Sequence, residues 1–206
     1  KGRGAVLNAA VLVSGGGTNL QAILDAAARG EIKSAEIALV LSSREGVYAL
    51  ERAEKAGVKT AVSVKKGRGQ EQFENDIVAA LEKEGIELIV LAGFMSILSG
   101  NFTKRYADRI INVHPSLIPS FCGKGYYGLK VHEAALAYGV KVTGATVHFV
   151  NEIPDGGKII MQRAVEVEEG DTPETLQKRV MERAEWKILP AALEKVAADI
   201  LKERKK

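Results

Sequence analysis

Short apolar runs alternate with amphipathic stretches along the first half of the chain. Runs at 9–13, 37–41, 60–64, 86–91 and 109–113 have the length and content of buried strands. Between them the apolar residues recur at helical spacing, predicting helices over 18–29, 47–56 and 70–84. The first of these puts Leu20, Ile23, Leu24 and Ala27 on one face and stops at Gly30; the third presents Phe73, Ile77 and Leu81 and stops at Gly85. This strand–helix rhythm predicts an α/β fold, a mostly parallel twisted sheet with helices on both faces. Farther on, the pattern predicts a helix over 130–138. Two alternating segments at 142–150 and 158–167 then read as an antiparallel strand pair at the sheet edge. A long closing helix is expected over 173–201, bent or broken near Pro190. No linker interrupts the series, so residues 1–206 read as a single domain.

Composition narrows the class without naming it. With 206 residues, 46% apolar and 27% charged, the chain suits one globular domain with a full core. The net charge of +3 owes much to Lys202-Glu203-Arg204-Lys205-Lys206, a solvated helix end. Aromatics at 5% do not suit a nucleic-acid face, and no apolar run approaches the ~20 residues of a membrane span. Lys1-Gly2-Arg3-Gly4 has no signal-peptide core behind it, and Cys122 is the only cysteine. The expectation is a cytoplasmic protein with no disulfide framework, no metal, no nucleic-acid partner and no membrane.

Candidate chemistry gathers at two strand ends. Asn112-Val113-His114-Pro115 closes the run at 109–113, and proline forbids its continuation. Open α/β sheets bind ligands at the carboxyl ends of their strands. An amide and an imidazole placed there can hold a carbonyl and stabilise charge growing on its oxygen. Asp155, in a turn followed by Gly156-Gly157, is the carboxylate best suited to tune the imidazole. Together Asn112, His114 and Asp155 suit acyl or formyl transfer to an amine. The second end is Ser14-Gly15-Gly16-Gly17-Thr18-Asn19, a glycine turn into a helix start, fit for a phosphate held by backbone amides around Gly17, Thr18 and Asn19. Leu20 stands where a dinucleotide fingerprint needs its third glycine, and the P-loop ending is missing. Arg44 then reads as a surface residue, His148 as a strand wall residue, His132 as a surface or supporting residue, and Cys122 as a small loop residue rather than a nucleophile.

With these residues in view, the chain resembles the phosphoribosylglycinamide formyltransferases. The resemblance runs through Ser14-Gly15-Gly16-Gly17-Thr18-Asn19-Leu20, Leu91-Ala92-Gly93-Phe94-Met95, Asn112-Val113-His114-Pro115-Ser116-Leu117, Gly144-Ala145-Thr146-Val147-His148-Phe149-Val150 and Asp155-Gly156-Gly157. It implies a Rossmann-like formyltransferase fold and transfer of the formyl group of 10-formyltetrahydrofolate, as co-substrate, to the amine of 5-phosphoribosylglycinamide in purine biosynthesis. It implies catalytic roles for Asn112, His114 and Asp155, through a tetrahedral intermediate, and a substrate phosphate site at Gly17, Thr18 and Asn19. A folate wall is implied at Met95, Ser96, Ile97, Leu98, Arg109, Asn151, Glu152, Ile153 and Pro154. Glu185 matches a ribose-binding glutamate once one residue is allowed as an insertion just before it. Three departures stand out: Cys122-Gly123 in place of Pro-Gly, Trp186 in place of a histidine, and Gly69-Gln70-Glu71, which leaves Arg68 as a substitute for a folate-tail arginine. A 10-formyltetrahydrofolate hydrolase, expected to carry a further regulatory domain ahead of the first strand, and a non-catalytic folate- or nucleotide-binding module are the alternatives. The residues do not fix an oligomeric state.

Overall fold

A computed structural model describes residues 5–206; Lys1-Gly2-Arg3-Gly4, read above for a signal sequence, lies outside the described residues. Seven strands form one sheet: β1 (Leu7–Val13), β2 (Ala35–Ser42), β3 (Lys59–Val62), β4 (Leu88–Leu91), β5 (Ile110–His114), β6 (Val142–Phe149) and β7 (Ile159–Glu166). Their spatial order is β3-β2-β1-β4-β5-β6-β7. The first five run parallel, and β6 and β7 pair antiparallel with β5 and with each other, as the pattern predicts.

The parallel half is buried on both faces, and alternation within each strand shows it. In β1, Leu7, Ala9, Val11 and Val13 point into one core while Ala10 and Leu12 point into the other. The first core is roofed by α1 (Thr18–Ala28), α2 (Tyr48–Lys55) and α7 (Trp186–Glu203). The second is roofed by α3 (Gln70–Lys83), through Phe73, Ile77 and Leu81, and by Phe102 of α4 (Gly100–Arg105). The chain turns back on itself between β1 and β4, which are neighbours although not consecutive. A crevice therefore opens at their carboxyl ends, where the glycine turn and Gly93-Phe94-Met95 emerge.

Two elements differ from the sequence expectation. Helix α4 was not expected: six residues are too few to show a period, and its signal is the Ser99 hydroxyl accepting the Phe102 N–H as a cap. The closing helix is not interrupted at Pro190, which lies buried within α7. Its irregularity comes earlier, where α6 (Pro173–Val180) passes into a π-turn, Met181–Glu185. There the Trp186 N–H reaches the Met181 carbonyl, five residues back. A π-turn is how a helix absorbs one extra residue, and it falls where the family resemblance required one. Helix α5 (Leu129–Tyr138) follows a long loop after β5 and stops at Gly139, φ 83°.

Candidate active site

Strand β5 delivers the first two functional side chains because it ends in the crevice. Asn112 stands opposite His148 in the antiparallel register, and its Nδ2 lies 3.1 Å from His148 Nε2. The other ring nitrogen of His148 donates to the Phe149 carbonyl at 2.8 Å. So His148 is more than wall: it fixes the Asn112 amide. His114, 5% exposed, donates from Nε2 to the Phe121 carbonyl at 2.8 Å, since a carbonyl can only accept. Its Nδ1 faces Asp155 Oδ2 at 3.6 Å.

Asp155 reaches this place from the turn after β6. Its backbone is left-handed, φ 54°, and Oδ2 accepts the Gly123 N–H at 2.9 Å. The turn is drawn tight against β6: a Cβ on Gly157 would lie 1.6 Å from the Phe149 carbonyl oxygen. Oδ1 of Asp155 lies 3.7 Å from His148 Nε2. Burial pushes the carboxyl up, but the His148 and His114 rings and the Gly123 N–H outweigh it and hold Asp155 below the ordinary carboxylate range. Cys122, between the two residues whose backbones hold His114 and Asp155, has its thiol pushed up by burial and then by Asp155, which suits a loop residue and not a nucleophile.

These groups open on a cleft of about 260 Å³, lined also by Asn19, Gly93, Phe94, Met95, His132 and Glu185. Glu185, at the end of the π-turn, accepts the Asn19 Nδ2–H at 3.1 Å, and burial pushes its carboxyl up to about 7. Asn19 Oδ1 is buried with no protein partner. Of the two readings open for His132, surface or supporting, the structure takes the second. The residue is 1% exposed, faces the cleft, and neither ring nitrogen has a partner. Burial first, and then the nearby His114, lower it to about 4. Val131, His132 and Ala135 form the inner face of α5. The exposed aromatics Tyr126 and Tyr127, also on the cleft, gave no sequence signal beyond a glycine-flanked pair.

The glycine turn lies at the Asn19 end. Gly17 caps α1 at φ 78°, and a Cβ there would come within 2.7 Å of Ala49 Cβ. The Ser14 hydroxyl bonds Ser43 Oγ at 2.5 Å and accepts the Met95 N–H at 2.8 Å, joining the loops after β1, β2 and β4. Of the residues expected to form a folate wall, Met95 lines the cleft. Ser96 is half-buried, Ile97 is exposed, and Leu98 packs on the second core. Asn151, Glu152, Ile153 and Pro154 form the turn leading to Asp155, with Glu152 against Gly100. Arg109 stands apart from His114, about 16 Å away at strand rise. The β5–β6 register puts it across from Asn151, and its buried Nη1 has no partner among the described residues. Arg68 pairs with Asp76 and donates to the Gln72 carbonyl, so its charge is already engaged; Arg44 is exposed, as expected.

Comparison with known proteins identifies the family. The formyl transferase family model matches residues 7–193. The chain is 48% identical over 190 residues to a trifunctional purine biosynthetic protein adenosine-3 of Gallus gallus, covering 92% of this chain and 18% of that one. It thus spans about a fifth of such trifunctional relatives. It is 41% identical to a phosphoribosylglycinamide formyltransferase of Haemophilus influenzae, over 89% of this chain and 84% of the relative. The crystal structure of glycinamide ribonucleotide transformylase 1 from Symbiobacterium toebii superposes with a TM-score of 0.87 at 40% identity, covering 94% of this chain and 89% of that one. By the family match over 7–193, the relatives of similar length and the shared fold, the chain belongs to the formyl transferase family, among the phosphoribosylglycinamide formyltransferases.

Proposed function

We propose that this protein transfers the formyl group of 10-formyltetrahydrofolate to the amine of 5-phosphoribosylglycinamide. The observation that carries the reading is a single cleft holding the glycine turn's Asn19 and Glu185 beside the Asn112, His114 and Asp155 cluster. The acceptor's phosphate sits on the backbone amides of Gly17, Thr18 and Asn19, at the positive end of α1. Glu185 and the free Asn19 oxygen meet its ribose hydroxyls. The donor lies along the Met95-Ser96-Ile97-Leu98 loop and the Asn151-Glu152-Ile153-Pro154 turn, with the orphaned Arg109 guanidinium beyond.

The amine nitrogen attacks the formyl carbon, a C–N bond forms, and the carbonyl electron pair moves onto oxygen. An Asn112 N–H and the His114 Nδ1–H stabilise that oxyanion. The Phe121 carbonyl engages Nε2 of His114, which leaves Nδ1 for the reacting oxygen. Asp155, kept ionised, takes the amine proton directly or through water. The intermediate then expels N10 of the folate, which leaves with the proton that Asp155 took, passed on directly or through water, and the formyl group stays on the glycinamide nitrogen. No metal has a part in this sequence, and the partners are two small molecules.

The test follows the absorbance of 10-formyl-dideazafolate with and without 5-phosphoribosylglycinamide. Loss of the formyl donor only when the acceptor is present supports transfer. Equal loss without it means a hydrolase, and no loss in either case means a binding module.

A further inference from the structure

Arg52 belongs to no residue set described so far, yet it grips the back of the glycine turn. From α2 its Nε–H donates to the Gly16 carbonyl at 2.7 Å and its Nη1 to Gln21 Oε1 at 3.1 Å. Its guanidinium carbon lies 4.6 Å from the centroid of the Tyr48 ring, which keeps the fork flat and in place. One residue earlier, the Gly15 carbonyl accepts the Ala49 N–H at 3.2 Å, again from α2.

In a trans peptide the C=O and N–H point in opposite directions. Tying the carbonyls of Gly15 and Gly16 to α2 therefore aims the N–H groups of Gly16 and Gly17 away from it. Neither of those two donors finds a backbone acceptor among the described residues. Gly17 then turns left-handed, φ 78° and ψ 34°, into the open first turn of α1. Successive N–H groups gathered this way form a concave anion nest. The two sides of the loop differ as such a nest requires. Nothing lies within 4 Å of a Cβ built on Gly15 or Gly16, whereas one on Gly17 would strike Ala49.

We propose that Arg52 is a positioning residue for the acceptor's phosphate: by holding the Gly16 carbonyl it preforms the ring of N–H donors, and its charge behind the loop favours a phosphate dianion. This rests on the phosphate site proposed above and adds the element that shapes it. A merely structural role would be to tether α2 to the loop, so the measurement must separate stability from anion affinity.

Wild-type protein, Arg52→Met and Arg52→Lys are titrated with inorganic phosphate and with 5-phosphoribosylglycinamide, by calorimetry and by the fluorescence of Trp186. That residue is the only tryptophan in the chain and shares a groove with Thr18 and Arg52. Steady-state kcat and KM are measured alongside. For Arg52→Met, phosphate Kd and acceptor KM should rise about ten- to a hundredfold, the loss of a charge-assisted hydrogen bond. Its kcat should stay within about twofold of wild type, as expected when uniform binding is lost. Arg52→Lys keeps the charge but not the Nε–H, so it should fall between. A lowered melting temperature with wild-type phosphate affinity and KM would overturn the proposal, as would a fall in kcat at unchanged KM. Should Arg52→Met not fold, Arg52→Lys decides, and wild-type affinity there overturns it. If the wild-type protein itself binds neither phosphate nor acceptor, the phosphate-site reading falls; if it binds both and Arg52→Met binds them equally, only Arg52 falls.

Discussion

The two ends of the cleft handle their polar groups in opposite ways. At the β5 end, Asn112, His114, His148 and Asp155 face one another and the carbonyls of Phe121 and Phe149, and each has a protein contact. At the α1 end, Asn19 Oδ1 is buried without a partner and the Gly16 and Gly17 N–H groups have no backbone acceptor among the described residues. An interlocked cluster fixes geometry before any ligand arrives, which is what oxyanion stabilisation requires. An unsatisfied set destabilises the free protein and gains partners when a polyhydroxylated, phosphorylated ligand enters. The first end is built for chemistry and the second for recognition.

The largest effect should come from breaking the interlocked end. His114→Ala is expected to lower kcat by on the order of 10²–10⁴ with the fold intact. Asp155→Asn should cost nearly as much, and the double variant little more than either alone, because the two act as a unit. Additive losses in the rate assay would show that the pair is not coupled.

One buried cleft group near each end should reveal itself in stability against pH, by about 2–3 kcal/mol. Glu185 is raised from its usual carboxyl value of 4.5 to about 7, so the folded state holds its proton more tightly. Its contribution is present below 4.5 and is lost as pH rises toward 7. His132 is lowered from 6.5 to about 4, so its contribution is present above 6.5 and lost as pH falls toward 4. Between about 4.5 and 6.5 the two slopes oppose each other. Relative to wild type, Glu185→Gln should gain a stability that rises with pH across this window, and His132→Leu one that falls. Denaturant titrations at several pH values check the signs, and parallel curves for all three proteins would remove both groups from the account.

Gly17→Ala should have the smallest effect, costing about 2 kcal/mol of stability from left-handed strain and contact with Ala49. It should raise the acceptor's KM while leaving the donor's KM and kcat alone. An unchanged acceptor KM would move the phosphate elsewhere.

Most of the fold was legible because buried parallel strands are short apolar runs and their helices carry a clear period. Strand bounds shifted by a residue or two, as at β1, which starts at Leu7 rather than Ala9. What escaped was set by single groups. Helix α4 depends on one hydroxyl cap. Pro190 invites a break, yet α7 continues through it, and the departure from α-helix is the π-turn that carries Glu185. In the site, Asn112, His114 and the glycine turn were legible from their places at strand ends. Asp155 needed the antiparallel pair to fold back before it could meet His114. His132 stayed open between surface and support, and Arg52 left no trace, since helix faces are decided by what packs on them.

The Ser14 hydroxyl has a consequence for how two reactants meet. It holds the Met95 amide on one side and the Ser43 hydroxyl on the other, and it opens the glycine turn itself. The glycine turn and the loop of Met95 are therefore tied to each other through one side chain. For the proposed transfer, a spacing set by the fold means that binding the two substrates also brings the amine to the formyl carbon. A single buried hydroxyl sets the distance between those two loops.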